Sequence, residues 1–518
     1  MKKPIFYLIL ILLALAGMAV LVFSTPKGLG LVNDSVAYIN GARGLVEGSG
    51  YGRIAGDGTI RPITHFPPGL SVVLSLFGLV GLDAIPAARF ANTLLFGLNI
   101  VLAGLLAREV SRSLWAGVMA AALVAFSEAL LRVHAFALSE PLFLTLTLGS
   151  LLTLARVLQA PPHSIPVTAW VITMVVAGDL AGLSYLTRYV GAAILPAAAP
   201  ALLAVPGLLR DRLRNVGLFW GSALAWVLVW TVRNAALTGS ATNRTLGYHA
   251  IPTENWLEGV RNFWAFLLPV RIPLLDWLPN ELWAAFTALL ALVILAGLFV
   301  GLRAVSRRST GELGAWLVGL HLAAYLATIL LSMTFVDAST LFEDRILAPV
   351  YVDFVILLAW LLTRLNKRTR AAYRTVLVVL VVLLALSFAD DARKTALELR
   401  VDGQGYASSF WTNSQTMDHV RRLPDVTVYT DRLAAVSLLA DRQAFALLSP
   451  TDPVTREPRP NFEQTQTAIH AALLEGRAVL VVFSIQGTAK EDWFQQLVEG
   501  VPEIARYPDG VIYGQAKN

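Results

Sequence analysis

The sequence contains no cysteine, which excludes disulfide bonds, thiol catalysis and cysteine-ligated metal sites. Charged residues are also scarce, because Asp, Glu, Lys and Arg make up only 15% of the 518 residues. Hydrophobic residues take their place, at 56% of the chain, and the mean hydropathy is +0.63. Long uncharged apolar runs recur along the chain. This composition excludes an ordinary soluble globular protein and is typical of a protein that crosses a membrane many times.

Hydropathy and segment length predict about eleven membrane spans. Lys2 and Lys3 precede the first span, so its N-terminus is expected in the cytoplasm. The loops after the even-numbered spans are then cytoplasmic, and each carries the basic residues that the positive-inside rule requires. The net charge of +6 therefore reflects loop orientation and does not indicate a nucleic-acid partner. The predicted spans are 5–23, 85–107, 114–133, 141–158, 167–187, 190–208, 216–236, 282–302, 313–333, 346–364 and 374–389.

This orientation predicts a transmembrane catalytic domain, 1–389, and an extracytoplasmic domain, 390–518. The first outer loop, 24–84, belongs to the transmembrane domain in this interpretation. Within it, the apolar segment 66–81 is short and interrupted by Gly and Pro. If this segment crossed the membrane, the orientation of all later spans would be reversed and their basic loops would lie outside. We therefore expect a helix that lies at the membrane interface.

The tail, 390–518, has a different kind of sequence. Val426–Asp431 and Ala478–Ser484 are rich in β-branched residues and predict strands, whereas Asp492–Glu499 predicts a helix. Pro508-Asp-Gly510 between two short apolar runs predicts a hairpin. The fold class expected for the whole chain is therefore mainly α, a polytopic transmembrane helix bundle with a small C-terminal α/β domain.

Two carboxylates are predicted at the outer membrane surface. Asp34 lies about ten residues past the end of the first span, and Glu140 begins the fourth. A carboxylate can take a proton from an acceptor hydroxyl, and both are candidate catalytic residues. The alternative interpretation makes Asp34 a solvated loop residue and Glu140 a charge stabilised by the N-terminus of a helix.

Basic and polar side chains are predicted on the same side of the membrane. Guanidinium groups can hold a phosphate bidentately, and ionisable residues at span ends are functional candidates by default. The alternative is that the arginines only anchor the membrane interface. The candidate substrate-binding residues are His65, Arg61, Arg188, Tyr189, Asp344 and Arg345.

The order of these motifs resembles the GT-C membrane glycosyltransferases over about residues 1–390. The motifs are Asn33-Asp-Ser35, His65-Phe-Pro-Pro68, Ala88-Arg-Phe90, Ser139-Glu-Pro-Leu-Phe143, Thr187-Arg-Tyr189 and Asp344-Arg345. The branch they resemble contains protein O-mannosyltransferases and the aminoarabinose transferase of lipid A. His65 stands roughly where that last enzyme has a lysine that contacts the lipid phosphate.

The resemblance implies an inverting hexosyl or pentosyl transfer, outside the membrane, from a polyprenyl-phosphate sugar to a glycan, lipid or protein acceptor. It matches Asp34 to the acidic residue of the family's first loop, and Glu140 to the acidic residue before proline at span four. The resemblance implies no cofactor with certainty, and it leaves open whether a divalent cation takes part. A multi-span lipid or sugar transporter or flippase is the alternative, and a scaffold without activity is a third.

Overall fold

The computed structural model describes residues 1–54, 59–160, 166–241, 244, 246–267, 299, 303, 312–368, 371–483 and 487–515. Most of the described chain is α-helical. The helices are α1 (Lys3–Ser24), α2 (Asn33–Glu47), α3 (Gly69–Gly78), α4 (Ala84–Ser111), α5 (Leu114–Ala125), α6 (Glu128–His134), α7 (Glu140–Gln159), α8 (Val167–Tyr185), α9 (Ile194–Leu203, after a 3₁₀ turn at Tyr189–Ala193), α10 (Leu209–Thr238), α11 (Thr253–Leu267), α12 (Leu313–Phe335), α13 (Asp344–Arg368), α14 (Ala371–Asp402), α15 (Ser409–Thr412), α16 (Gln415–Arg422), α17 (Leu433–Leu439), α18 (Phe462–Leu474) and α19 (Asp492–Val498).

The spans predicted from hydropathy coincide with helices wherever the chain is described. Among those residues, seven helices are long and apolar enough to cross a membrane, or eight if the bent pair α5–α6 forms one span. That pair breaks by 61° within the predicted span 114–133. The predicted span 190–208 corresponds to the shorter segment Tyr189–Leu203, and 374–389 lies within α14. The predicted span 282–302 falls almost entirely outside the described residues. The protein is therefore a multi-pass membrane protein.

Glycine lets two of these helices approach very closely. Gly178 and Gly182 lie four residues apart, on one face of α8. A Cβ atom at Gly178 would lie 2.3 Å from the backbone oxygen of Phe219 on α10, and one at Gly182 would lie 2.8 Å from that of Ala223. Small residues at this spacing are a common way for helices to pack in membranes, where the hydrophobic effect does not drive association between helices.

The described residues divide into two compact units. Unit 1 comprises Met1–Pro26, Thr64–Leu70 and Ala88–Arg400, and unit 2 comprises Lys27–Ile63, Ser71–Ala87 and Val401–Asn518. Most of the predicted first outer loop thus belongs to the same unit as the tail. The predicted boundary at 389/390 lies inside the continuous helix α14, about 13 residues before its end. The functional division into 1–389 and 390–518 stays a prediction.

Unit 2 contains the sheet that the tail sequence predicts. Its order is β4 (Phe445–Ala446), β3 (Thr427–Thr430), β5 (Ala478–Val482), β7 (Gly510–Gly514) and β6 (Glu503–Tyr507). Strand β3 pairs in parallel with β4 and β5, whereas β7 is antiparallel to both β5 and β6. Helices α18 and α19 pack beside it, and Leu473, Leu480 and Phe494 are fully buried in the core they share. The α/β fold of the tail is confirmed.

The segment around Asp34 is more ordered than a loop. Residues 33–47 form helix α2, which ends at Gly48 with φ +79°. A short hairpin follows, in which β1 (Gly52–Ile54) pairs with β2 (Ile60–Pro62). The apolar segment predicted at the membrane interface forms α3, whose ten residues are too few to cross a bilayer as a straight helix.

Candidate active site

Glu140 and Arg188, two of the predicted site residues, form a buried ion pair in unit 1. Arg188 Nη1 lies 2.5 Å from Glu140 Oε1, and Glu140 is only 1% exposed. Glu140 is the first residue of α7, and Pro141 follows it in the first turn, where a helix tolerates proline. A helix N-terminus favours a negative charge, so both the backbone and Arg188 stabilise this carboxylate.

A buried hydrogen-bond network fixes the chain that leads to Glu140. Asn99 donates to the carbonyl oxygen of Pro141 at 3.0 Å and contacts His134 Nε2 at 3.0 Å, and it accepts from Thr145 at 2.7 Å. His134 Nδ1 lies 2.7 Å from the carbonyl oxygen of Leu130, which fits a proton on Nδ1 and leaves Nε2 to accept from Asn99. Both nitrogens of His134 therefore serve this network.

The segment Thr64–Leu70 carries His65. It lies against the turn after α8, which carries Arg188. The hydroxyl of Tyr189 donates to the carbonyl oxygen of Thr64 at 3.1 Å, and the amide of Gly69 donates to that of Leu186 at 2.7 Å. Trp230 in turn donates to the Tyr189 hydroxyl at 3.0 Å. The structure therefore brings together the chain segments of four predicted residues in unit 1: His65, Glu140, Arg188 and Tyr189.

Asp344 and Arg345 open helix α13, as the sequence pattern indicates. Asp344 accepts a hydrogen bond from the hydroxyl of Tyr351 at 2.7 Å, and Arg345 Nε lies 3.0 Å from a carboxylate oxygen of Glu343. The Arg345 side chain is 34% exposed, against 19% for that of Arg188. The two arginines proposed to meet the donor phosphate thus have different surroundings.

Asp34 and Arg61 belong to unit 2. Asp34 is the second residue of α2 and is partly exposed, and Ser35 closes the helix start by accepting from the amide of Val32 at 3.0 Å. Arg61 is exposed on β2 and lies directly opposite Arg53. The hairpin therefore carries two exposed arginines at opposed positions.

Sequence reasoning missed a buried ionisable pair in the middle of two spans. His321 Nδ1 on α12 lies 2.6 Å from Asp353 Oδ2 on α13, and both side chains are almost fully buried. Asp353 lies nine residues, or about 14 Å, along α13 from Asp344. Nε2 of His321 has no hydrogen-bond partner within the described part of the chain. A single His and a single Asp inside otherwise apolar spans were the available signal.

Three further ion pairs in unit 1 were also missed. Arg132 contacts Glu128 at 3.1 Å and Glu398 at 2.7 Å. Arg244 lies 2.7 Å from Asp337, in the connection between α12 and α13. Burial raises the pKa of Asp337, but the hydrogen bonds from Ser339 and the charge of Arg244 outweigh it, so the pKa lies below the ordinary value. Across the described residues, no group of three or more His, Asp and Glu side chains is arranged to hold a metal ion.

No protein-family model matches the sequence, and no curated protein does. Solved structures do match. ArnT from Cupriavidus metallidurans, bound to undecaprenyl phosphate, has a TM-score of 0.52 at 17% identity, with 99% of this chain and 98% of that chain covered. The oligosaccharyltransferase of Archaeoglobus fulgidus, tethered to an acceptor peptide with the NVT sequon, has a TM-score of 0.59 at 14% identity. That alignment covers 100% of this chain and 74% of the other.

The archaeal oligosaccharyltransferase AglB, also from Archaeoglobus fulgidus and in complex with an inhibitory peptide and a dolichol-phosphate, has a TM-score of 0.56 at 14% identity, with 100% of this chain and 75% of that chain covered. These proteins are membrane glycosyltransferases of the GT-C type. Their likeness extends over the whole chain, the tail included. The protein therefore has the GT-C fold, which the order of its sequence motifs predicts.

Proposed function

We propose that this protein is an integral membrane glycosyltransferase that transfers a sugar from a polyprenyl-phosphate donor to an acceptor hydroxyl outside the cytoplasm. The observation that carries the proposal is the likeness to ArnT over nearly the full length of both chains. ArnT was solved with undecaprenyl phosphate and AglB with a dolichol-phosphate, so two proteins of this fold bind the lipid that such a donor would release.

Asp34 is proposed as the general base. An acceptor hydroxyl is a poor nucleophile at neutral pH until a positioned group takes its proton. Asp34 takes that proton, the acceptor oxygen bonds to C1 of the sugar, and the bond from C1 to the phosphate oxygen breaks. The electron pair leaves on the polyprenyl phosphate. Attack from the face opposite the phosphate inverts the configuration at C1.

Glu140 is proposed to orient Arg188. The Arg188 guanidinium already matches the Glu140 charge in buried surroundings, where separating an ion pair is costly. A carboxylate engaged in this way is better suited to position a cation than to act as the base. Arg188, with Arg345 and His65, would stabilise the negative charge that develops on the phosphate, and electrostatic stabilisation of this kind is often a large part of catalysis.

The remaining polar candidates are proposed to bind substrate. Tyr189 holds the segment next to His65 through its bond to Thr64, and Asp344 precedes Arg345 at the start of α13. Arg61 adds positive charge on its hairpin. The sugar is proposed to be a hexose or pentose, in a mannosyltransferase-like reaction. The acceptor is a glycan, lipid or protein, and the C-terminal domain lies outside the cytoplasm.

One observation favours a second function, transport of a lipid or sugar. Ionisable residues in the middle of membrane spans often mark transport or proton pathways, and His321 and Asp353 form such a pair. A flippase would move a lipid-linked sugar between leaflets without breaking its bond to phosphate. The two functions therefore differ in whether free polyprenyl phosphate is produced.

The test uses the purified protein in lipid vesicles with a panel of polyprenyl-phosphate sugars and candidate acceptors. Release of free polyprenyl phosphate, with the sugar recovered on an acceptor, is the expected result. Movement of intact donor between leaflets without release would instead identify a flippase. Running each assay with and without a chelator shows whether a divalent cation takes part. Neither release nor movement across the whole panel would contradict both proposals.

A further inference from the structure

The chain segment before Asp34 is bound by a part of the tail nearly 400 residues away. The amide of Tyr406 donates to the carbonyl oxygen of Leu31 at 2.8 Å, and Leu31 forms a parallel bridge with Gly405. The hydroxyl of Tyr406 donates to Asn33 Oδ1 at 2.5 Å. All of these residues belong to unit 2. The tail therefore contacts the chain on both sides of Val32, immediately before Asp34.

The turn that brings Tyr406 to this place depends on glycine. Gly403 and Gly405 have φ of +68° and +54°, in the left-handed region that other residues rarely adopt. A Cβ atom at Gly405 would lie 2.3 Å from the backbone oxygen of Leu31, and one at Gly403 would lie 2.5 Å from that of Ala407. Both obstacles are backbone atoms, which cannot move aside as a flexible side chain can. Only glycine lets the tail approach Leu31 this closely.

The Tyr406 side chain is itself held in place. Its ring is 8% exposed and meets Trp411 edge-on, with ring centroids 5.2 Å apart, and Trp411 contacts Phe483 at 5.0 Å. Burial raises the pKa of the Tyr406 hydroxyl. The charge of Arg432 lowers this pKa and the charges of Asp431 and Asp34 raise it, so the pKa lies above the ordinary value. The hydroxyl is therefore protonated at neutral pH and can act as the donor to Asn33.

These contacts fix the start of the helix that carries Asp34. Leu31 is tied by its backbone, Asn33 by its side chain, and the Val32 amide by Ser35. Asp34 follows directly, so its backbone has little freedom to move. A displacement of about 1 Å in a catalytic group can reduce a rate about a hundredfold, so such restraint matters for a general base.

We propose that Tyr406 is a positioning residue for Asp34, so that the tail takes part in the transfer reaction by holding the general base in place. This inference rests on the proposed role of Asp34. It assigns a task to the C-terminal domain that does not require the domain to touch donor or acceptor.

The first measurement compares Tyr406→Phe with Tyr507→Phe in the full-length protein. Both changes remove only a hydroxyl, and the Tyr507 hydroxyl bonds His419 at 2.9 Å within the same unit. We expect Tyr406→Phe to lower kcat about tenfold, the size of one lost hydrogen bond, without changing KM for the donor. Tyr507→Phe should leave kcat unchanged. An equal effect of the two variants, or a loss confined to KM, would overturn the inference.

The second measurement asks whether Tyr406 acts through Asp34. Tyr406→Phe is combined with Asp34→Asn, and turnover is measured for both single variants and the double variant. We expect the tenfold effect of Tyr406→Phe to shrink below about twofold once Asp34 is replaced, because a positioning contact has no value without the group it positions. An undiminished tenfold effect would overturn the inference but leave the proposed role of Asp34 intact.

Near-normal turnover in Asp34→Asn alone would instead refute the proposed base, and this inference with it. Asn33→Ala provides a check that does not depend on how Tyr406→Phe folds, since Asn33 is exposed. It removes the other side of the same hydrogen bond and should reproduce the loss in kcat. The combination of Asn33→Ala with Tyr406→Phe should be no slower than either alone, and additive losses would count against the proposal.

Discussion

The two carboxylates proposed to take part in the reaction are held in different ways. Glu140 is buried among helices, and a side chain, Arg188, matches its charge at 2.5 Å. Asp34 is partly exposed at the start of a helix, and the contacts that fix its position are made by its neighbours Leu31, Val32 and Asn33. The charge of Glu140 is thus matched by a buried partner, whereas Asp34 is partly exposed on a helix start that the tail holds in place. On this difference we base the proposal that Glu140 orients Arg188 and Asp34 takes the proton.

A cytoplasmic location of Asp34 would rule it out as the general base, because the proposed transfer takes place outside the cytoplasm. Because 27–63 and 401–518 form one compact unit, we expect both segments on the same side of the membrane. The chain has no cysteine, so single cysteines report their location cleanly. We expect a cysteine at the exposed Ser449 to react with a membrane-impermeant maleimide on intact cells. One at Arg210, in a predicted cytoplasmic loop, should react only after lysis. The reverse pattern would refute the predicted orientation and remove Asp34 from the proposed reaction.

Removal of the base should have the largest effect on rate. Asn is nearly isosteric with Asp but cannot take the acceptor's proton, and general base catalysis is typically worth about 10²–10⁴ in rate. Asp34→Asn should therefore lower turnover by roughly two orders of magnitude or more, with expression, folding and donor binding retained. Glu47→Gln neutralises an exposed carboxylate in the same helix and serves as the control. Similar turnover in both variants would mean that Asp34 is an ordinary surface residue and not the general base.

The sequence was a good guide to the helices because a membrane-spanning helix has one dominant requirement, about 20 apolar residues in succession. It located the strands of the tail for a comparable reason, since β-branched runs and a Pro-Asp-Gly turn are local signals. It placed Glu140 at a helix start, where the structure has it. These features depend on neighbours in the sequence, and so they can be read from it.

The sequence could not reveal contacts between distant segments. Nothing local indicates that Tyr406 would meet Asn33, or that Arg188 would pair with Glu140 rather than with another acidic residue. The break between α5 and α6 was missed for a different reason, because Ser127 caps a new helix inside an apolar run that hydropathy alone reads as continuous. The mixed composition of α2 predicts a loop, although these residues form a helix.

The Glu140–Arg188 pair gives a prediction that Asp34 does not share. Removal of one partner of a buried ion pair leaves a charge without compensation, which destabilises a protein by roughly 3–5 kcal/mol. Glu140→Gln should therefore lower the thermal unfolding midpoint in detergent by several degrees as well as reducing turnover, whereas Asp34→Asn should change turnover alone. The double variant Glu140→Gln/Arg188→Met removes both charges and should be more stable than Glu140→Gln. Equal midpoints for Glu140→Gln and Asp34→Asn would mean that the two carboxylates are not held differently.

The smallest effect concerns Arg345, the more exposed of the two arginines assigned to the phosphate. Its ion pair with Glu343 is largely solvated, and such pairs contribute roughly 0–1 kcal/mol to stability, so Arg345→Ala should leave the unfolding midpoint nearly unchanged. If Arg345 meets the donor phosphate, its loss should raise KM for the donor about tenfold, as expected for one charge-assisted hydrogen bond. Arg43→Ala is a matched control, because Arg43 pairs with Asp83 at 2.8 Å with similar exposure, 38% and 46% against 34% and 46%. A rise in donor KM confined to Arg345→Ala would show that this arginine acts on the substrate, and equal KM values in the two variants would reduce it to an interfacial anchor.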